Sequence, residues 1–130
     1  MTRLGVALIA GAAALFGPAA EPGPTADVPA SPGLWEMRRV PDGKPLRLCL
    51  ADVAVLAQVE HRGQTCARKV LRSTGTSEVL RYTCTTGGFG QSKLTMVTPR
   101  AVDIETQGIS DGLPFNYVVH ARRVGDCTSQ

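Results

Sequence analysis

Ser77-Glu78-Val79-Leu80-Arg81-Tyr82-Thr83-Cys84 is the stretch that decides the predicted fold of this 130-residue chain. In an extended backbone, Leu80, Tyr82 and Cys84 point to one side, and the residues between them point to the other. This period of two predicts a strand with one buried face. Strand-like segments precede and follow the stretch, so we expect it to lie in the middle of an antiparallel sheet.

Six further segments are predicted as strands, and turn residues separate them. They span residues 33–40, 46–50, 65–73, 89–98, 101–107 and 115–124. Proline presets φ and glycine accepts positive φ, which favours turns at most of the boundaries. A longer loop is predicted over residues 108–114. The fold class is therefore mainly β: an antiparallel meander of about seven strands, curved or shaped as a half-barrel to bury one face.

One short helix is predicted near residues 51–60, where apolar residues recur every three or four positions. Asp52 can cap its start and Gly63 can end it. We expect the apolar stripe of this helix to pack on the sheet. The only tryptophan, Trp35, lies on the apolar side of the first strand, so we predict that it is buried.

The start of the chain has the pattern of a signal peptide. Over residues 1–19, Arg3 precedes an uncharged apolar run at 4–16 and then small residues. The run is shorter than the roughly 20 residues that a spanning helix needs, so we expect export, cleavage and no transmembrane anchor. The proline-rich residues 20–32 predict an extended tether, and residues 33–130 suit one small domain.

The charge of the chain is modest. It has 14 basic and 11 acidic residues, a formal net charge of +3. Basic pairs such as Arg38-Arg39 are scattered along the predicted strands, where neighbouring side chains point to opposite faces. This pattern is typical of a solvated sheet surface. It does not predict a nucleic-acid-binding protein, which would concentrate its basic residues.

Four cysteines in a small exported domain predict two disulfides. The sequence allows three pairings. We favour Cys49–Cys66, which would staple both ends of the helical segment to strands, and Cys84–Cys127, which would tie the sheet to the C-terminal tail. No Cys-x-x-Cys pair is present, so neither a zinc site nor redox catalysis is predicted, and no cofactor is expected.

Several short motifs resemble the DUF3617 family, small exported proteins of Gram-negative bacteria with no established activity. They are Pro32-Gly33-Leu34-Trp35-Glu36, Cys49-Leu50 before the helix, Tyr82-Thr83-Cys84, and Arg123-Val124-Gly125-Asp126-Cys127. The resemblance covers nearly all of the mature chain. Family members often carry Gly-Asp before the second cysteine, where this chain has Gln64-Thr65. The resemblance implies an exported compartment and a disulfide frame, and it implies no chemistry.

Catalytic patterns are weak in this sequence. The two histidines are His61, predicted on the surface near the end of the helix, and His120, predicted to face solvent. No Gly-x-Ser-x-Gly elbow is present. The glycines at 87–90 lack the following helix and lysine of a phosphate loop. Asp103 and Glu105 share one strand face, which solvation explains as well as paired-carboxylate chemistry does.

The function predicted from the sequence is therefore non-enzymatic. We expect a periplasmic envelope protein that binds an envelope protein or a small apolar ligand on the concave side of the sheet. The candidate binding residues are Phe89, Leu94, Met96 and Tyr117. The alternative is a hydrolase-type enzyme with a site assembled from scattered residues. A concave apolar pocket with exposed aromatic residues would favour binding. A buried carboxylate, or His61 close to a second titratable group, would favour the enzyme.

Overall fold

Seven β-strands form one sheet in the computed structural model, which describes residues 30–128. The strands are β1 (Gly33–Arg39), β2 (Leu46–Leu50), β3 (Cys66–Ser73), β4 (Ser77–Cys84), β5 (Phe89–Thr98), β6 (Ala101–Ser110) and β7 (Leu113–Gly125). All neighbouring strands pair antiparallel. The predicted mainly β class and strand number are confirmed. The predicted signal peptide, residues 1–19, and the predicted tether up to residue 29 lie outside the described residues.

The strand order across the sheet is β2-β1-β7-β6-β5-β4-β3. Strands β3 to β7 form the predicted meander. The β1–β2 hairpin joins it through pairing of β1 with β7, the last strand of the chain. The sheet is open, with β2 and β3 as its edges and the other five strands between them. Because β3 follows β2 in sequence, the connection between them crosses the whole sheet.

That connection contains the predicted helix, a nine-residue 3-10 helix at Val53–His61. The Asp52 side chain caps its start by accepting a hydrogen bond from the Ala54 N–H at 2.9 Å. At Gln58 the backbone leaves helical angles, and the Gln58 amide donates to the carbonyl oxygens of His61 and Gln64. A segment this short gains little from α-helical hydrogen bonds, so a kinked 3-10 form that packs on the sheet is stable.

The helix packs against β4, β5 and β6, which defines a covered face and an uncovered face of the sheet. Trp35 is fully buried on the covered face, as predicted, and its indole N–H donates to the Ser31 carbonyl at 3.0 Å. The core of the covered face contains the apolar residues Met37, Leu50, Leu56, Ala57, Val59, Leu80, Tyr82, Cys84, Leu94, Val102, Ile104, Val119 and Ala121.

Strand β4 has the predicted bounds and the predicted alternation. Leu80, Tyr82 and Cys84 are buried on the covered face, whereas Arg81 and Thr83 are exposed on the other. The predicted position in the middle of the sheet is wrong: β4 lies next to the edge strand β3, and β6 is the middle strand, because β1 and β2 add to the sheet beside β7.

The loop predicted over residues 108–114 is wrong. Strand β6 continues to Ser110 and β7 begins at Leu113, so only Asp111 and Gly112 connect them. Both have positive φ, 51° and 76°. An Asp-Gly pair with this backbone makes a tight two-residue hairpin whose twist matches that of the flanking strands. The two strands can therefore stay paired to the turn.

The predicted disulfide pairing is also wrong, although both bridges form. The structure joins Cys49 to Cys127 and Cys66 to Cys84. Cys66 and Cys84 lie directly opposite each other on β3 and β4. Cys49 lies on β2, at the far edge of the sheet from Cys66, and only β1 separates it from the end of β7, which leads to Cys127. No cysteine among the described residues is free.

Candidate binding surface

The four predicted binding residues do not share a surface. Phe89 is on the uncovered face and 51% exposed. Leu94 is 1% exposed in the core of the covered face, and Met96 and Tyr117 lie partly buried on that same face. The helix already occupies the covered face through buried residues such as Leu56. Of the four residues, Phe89 is therefore the one that presents a large exposed apolar group.

His61 is buried, with 3% of its surface exposed, so the prediction of a surface histidine is wrong. The helix lies against the sheet, which turns its last residue inward rather than toward solvent. The His61 Nδ1 atom is 2.9 Å from the Tyr82 hydroxyl. The His61 ring also makes edge contacts with the rings of Tyr82 and Phe115, with centroid distances of 5.4 and 5.8 Å. The histidine thus anchors the end of the helix to β4 and β7.

Two glycines close the space around the His61–Tyr82 pair. A Cβ atom added at Gly88 would collide with the His61 Nε2 atom, and one added at Gly90 would lie 2.6 Å from the Tyr82 hydroxyl oxygen. Among residues 30–128, the buried Nε2 atom has no hydrogen-bond partner. The pair is therefore enclosed by its own fold, and the structure leaves no room for a substrate atom beside the imidazole.

A second polar group on the covered face joins Glu60, Tyr117 and Arg39. The Tyr117 hydroxyl donates to the Glu60 carboxylate at 2.5 Å, and the Arg39 guanidinium stacks 3.7 Å from the Tyr117 ring centroid. Burial, with help from the hydrogen bond and the charge of Glu60, raises the pKa of Tyr117. Burial and the same carboxylate raise the pKa of Tyr82 to about 12. Both phenols are therefore neutral hydrogen-bonding groups at ordinary pH.

The uncovered face carries a straight row of long polar side chains, which we call the polar row. It contains one residue from each of β3 to β7, directly opposite one another in register: Lys69, Arg81, Gln91, Gln107 and Asn116. With strands about 4.8 Å apart, the row is about 19 Å long. Within the described part of the chain, none of these five side chains has a hydrogen-bond or ion-pair partner.

The chemistry of the polar row changes along its length. Lys69 and Arg81 place two like charges directly opposite each other, an arrangement that disfavours the folded sheet. Gln91, Gln107 and Asn116 follow as three neighbouring amides, and each offers an N–H donor pair and a carbonyl acceptor. One end of the row therefore suits an anion, and the rest suits a ligand with many hydroxyl or amide groups.

Two neighbouring hollows lie along the polar row, and both are bordered by Gln91 and Gln107. The first, of about 330 Å³, also reaches Asn116. The second, of about 350 Å³, reaches Arg81 and Phe89. The exposed ring of Phe89 therefore stands beside the amides and the positive end of the row.

On the part of the uncovered face formed by β1, β2 and β7, several charged side chains form pairs. Glu36 accepts a hydrogen bond from Arg47 at 3.0 Å and lies 3.5 Å from Arg122. The hydrogen bond from Arg47, aided by nearby positive charges, lowers the pKa of Glu36. His120 faces solvent, as predicted, and its ring lies 2.6 Å from Asp103. These groups satisfy one another, in contrast to the polar row.

Of this surface, the sequence analysis named only Phe89. The polar row depends on the register of five strands, which a single sequence does not specify. The available indication was the polar alternation of β5 and β6, in which Gln91, Lys93, Glu105 and Gln107 fall on the face opposite the core.

Among residues 30–128, no group of three or more His, Cys, Asp and Glu side chains could hold a metal ion. The helical structure of the same residues is too short and too polar to cross a bilayer.

Comparison with known proteins identifies a family but no characterised relative. No curated protein and no solved structure matches the chain. A family model described as a protein of unknown function, DUF3617, matches residues 30–127, three quarters of the chain and almost all of its described part. The resemblance seen in the sequence motifs is confirmed, and this chain belongs to the DUF3617 family.

Proposed function

We propose that this chain is a non-enzymatic protein of the periplasm that binds an anionic partner through the uncovered face of its sheet. The polar row is the observation that carries the proposal. It sets two cations side by side without a neutralising carboxylate, and it leaves three amides with unused donors and acceptors. Repulsion between the two cations lowers the stability of the folded state, and an anionic partner would relieve this repulsion.

The charges around the row favour an anion over a neutral partner. Arg72 lies on β3 close to Lys69 and, among the described residues, has no ion pair. Lys93 on β5 is 3.8 Å from Glu105, an exposed pair that salt screens readily. The β3–β5 side of the uncovered face is therefore net positive and attracts negative charge.

A small apolar ligand has less support than an anionic partner. Such a ligand was expected on the face that includes Leu94 and Met96, where the helix fills the space against the sheet. A cavity of about 150 Å³ remains beside Tyr117, bordered by charged groups that include Arg39 and Glu60. Its size and polarity suit ordered water better than an apolar molecule.

The hydrolase alternative has two supporting observations: Glu78 is a buried carboxylic residue, and His61 lies close to the titratable hydroxyl of Tyr82. However, Tyr82 occupies the Nδ1 side of the imidazole, and Gly88 closes the Nε2 side. A general base must reach a substrate proton directly or through one water molecule. An anchoring role for the pair therefore fits the geometry better than catalysis does.

Calorimetric titration of the mature, oxidised protein tests the proposal. The probes are polyglutamate, a carboxylated polysaccharide and a sulfated polysaccharide, each at low and high salt. We expect at least one probe to bind, with affinity that falls as salt rises. The double variant Lys69→Gln/Arg81→Gln should bind at least tenfold more weakly, since each charged contact is worth about 1.5–3 kcal/mol. Arg38→Gln, an exposed cation elsewhere on the same face, is the matched control.

Three outcomes would overturn the proposal. The first is no binding of any probe, and the second is equal weakening by the control and the double variant. The third is cleavage of a bound polymer, detected by mass spectrometry, that is lost in His61→Gln or in His120→Gln. That last result would establish the enzymatic alternative.

A further inference from the structure

From the polar row and Phe89 we infer the chemical class of the ligand: an acidic oligosaccharide that lies across the strands on the uncovered face. This inference rests on the proposed function, because it names the anionic partner of the same surface. It goes further in requiring contacts of three kinds: amides and cations along the row, and an aromatic ring beside it.

The amides supply the first kind of contact. Gln91, Gln107 and Asn116 follow one another at the strand spacing of about 4.8 Å, which is comparable with the length of one sugar unit in an extended chain. Each amide can donate to one hydroxyl oxygen and accept from another. A carbohydrate, which displays neighbouring hydroxyl groups on each ring, can use both functions of each amide.

Phe89 supplies the second kind of contact. Its side chain is 51% exposed and borders the hollow that also contains Gln91 and Gln107. The face of an aromatic ring attracts the positively polarised C–H bonds of a sugar ring, and both surfaces leave water when they stack. An exposed phenylalanine beside a row of amides thus suits a pyranose, which has both an apolar C–H surface and polar hydroxyl groups.

The cations supply the third kind of contact and specify an acidic sugar. Arg81 borders the same hollow as Phe89, and Lys69 lies opposite Arg81 on the edge strand β3. A guanidinium can bind a carboxylate through two parallel hydrogen bonds, and the lysine adds a second positive charge. A uronic acid or another acidic substituent at this end of the oligosaccharide would neutralise both.

Other classes of anionic macromolecule fit less well. A protein partner normally buries an apolar interface core, and Phe89 is the only apolar side chain bordering the two hollows. Single-stranded nucleic acid stacks successive bases on several aromatic rings, and a membrane surface requires an inserted apolar face. The surface places one aromatic ring, that of Phe89, beside the five polar residues of the row, which suits a sugar chain.

The test is a titration of the ¹⁵N-labelled mature protein in which nuclear magnetic resonance monitors binding. The probes are three hexamers: galacturonic acid, glucose in an α-1,4 chain, and glutamic acid. We expect the galacturonate hexamer to shift the side-chain amide signals of Gln91, Gln107 and Asn116. The glucose and glutamate hexamers should bind at least tenfold more weakly, because each lacks one of the required contacts.

Variants test the individual contacts. Phe89→Ala and Gln107→Ala should each raise the Kd for the galacturonate hexamer about tenfold. Arg81→Gln should remove the preference for galacturonate over the glucose hexamer. Thr95→Ala, on the same face outside the row, is the matched control and should leave the Kd unchanged. Gln107→Glu, a conservative second variant, should weaken galacturonate binding more than glucose binding.

The possible failures can be told apart. Equal affinity for the glutamate and galacturonate hexamers, with dependence on Arg81, would overturn the carbohydrate inference and leave the proposed function standing. The protein could instead bind anionic phospholipid vesicles while no hexamer shifts its amide signals. That result would assign the polar row to a membrane surface and would also overturn the carbohydrate inference. Absence of binding to all of these probes would overturn both proposals.

Discussion

The two faces of this sheet treat polar side chains in opposite ways. On the covered face, buried polar side chains contact one another: the hydroxyls of Ser92 and Thr106 are 2.9 Å apart, and the His61 Nδ1 atom lies at the same distance from the Tyr82 hydroxyl. On the uncovered face the polar row is solvated and unpaired. An unpaired polar group is costly only when water is excluded. One sheet can therefore place its stability on one face and leave polar groups available to solvent on the other.

The disulfides give the largest expected effects on stability, and the two bridges differ in the length of chain that they close. Cys66–Cys84 closes a separation of 18 residues and Cys49–Cys127 one of 78. In the loop-entropy model, replacing Cys49 and Cys127 by serine should lower the free energy of unfolding by about 4.5 kcal/mol, and replacing the other pair by about 3 kcal/mol. Urea denaturation of the two double variants measures the difference.

Peptide mapping without reductant is the control for that experiment. It should recover Cys49 joined to Cys127 and Cys66 joined to Cys84. Recovery of a Cys49–Cys66 peptide would contradict the strand order of the sheet. A larger loss from the shorter loop would show that burial, rather than chain entropy, decides the stabilisation.

Trp35 tests the covered face directly. Trp35→Ala leaves a large hole among fully buried neighbours and removes the hydrogen bond to Ser31, so the free energy of unfolding should fall by about 3–5 kcal/mol. Leu113→Ala is the control, because Leu113 is 69% exposed and the change should stay within about 0.5 kcal/mol. Circular dichroism follows both transitions without relying on the single tryptophan. Similar losses in the two variants would contradict the assignment of the core.

Gly87 and Gly88 form a matched pair that isolates the contact with His61. Both have φ near +95°, so alanine is strained at either position. The Gly87 position is open, whereas a Cβ at Gly88 meets the imidazole. Gly88→Ala should therefore cost about 1–3 kcal/mol more than Gly87→Ala in thermal or urea unfolding. Adding His61→Ala should remove most of that difference, and equal costs would show that His61 is not enclosed.

The buried phenols predict a loss of stability at high pH. Folding raises the pKa of Tyr82 from about 10 to about 12, so the folded state holds this proton where the unfolded state releases it. Stability should be constant below about pH 10 and fall as the pH rises toward 12. Urea unfolding between pH 8 and 11.5 measures the slope. Glu60→Gln should reduce it, because the carboxylate contributes to the raised pKa of both Tyr82 and Tyr117; an unchanged slope would contradict this assignment.

The smallest effect is expected on the uncovered face. Lys69→Glu replaces a like-charge cross-strand pair with an opposite-charge pair opposite Arg81. The folded state should gain no more than about 1 kcal/mol, while binding of the anionic probes weakens. Lys44→Glu, an exposed change away from the sheet, serves as the comparison. A clear loss of stability in Lys69→Glu would mean that the row contributes to folding.

Local patterns in the sequence predicted much of this fold. Strands β4 and β5 have the predicted bounds, and Trp35 is buried. The prediction for β4 was correct because the sheet buries one face, so apolar and polar residues must alternate along the strand. The capping role of Asp52 was likewise local and is confirmed.

The failures depend on contacts between distant parts of the chain. The disulfide pairing follows from the pairing of β1 with β7, which no local pattern specifies. His61 appeared polar in sequence, but docking of the helix on the sheet buried it. The polar row requires the register of β3 to β7. Of the features that were missed, only the tight turn at Asp111-Gly112 could have been predicted locally. An Asp-Gly pair between two strands favours a two-residue hairpin.

The first and last segments of the described domain meet at one corner. The Arg123 guanidinium donates to the Pro32 carbonyl at 3.0 Å, and Leu34 lies opposite Gly125. Along β7, Asn116 is nine residues from Gly125, about 30 Å in an extended strand. A fluorophore, a fusion partner or a sensor surface attached at either end of residues 30–128 would therefore stand at the opposite end of β7 from the polar row. The domain can be attached to a detection device from either terminus with the polar row left accessible.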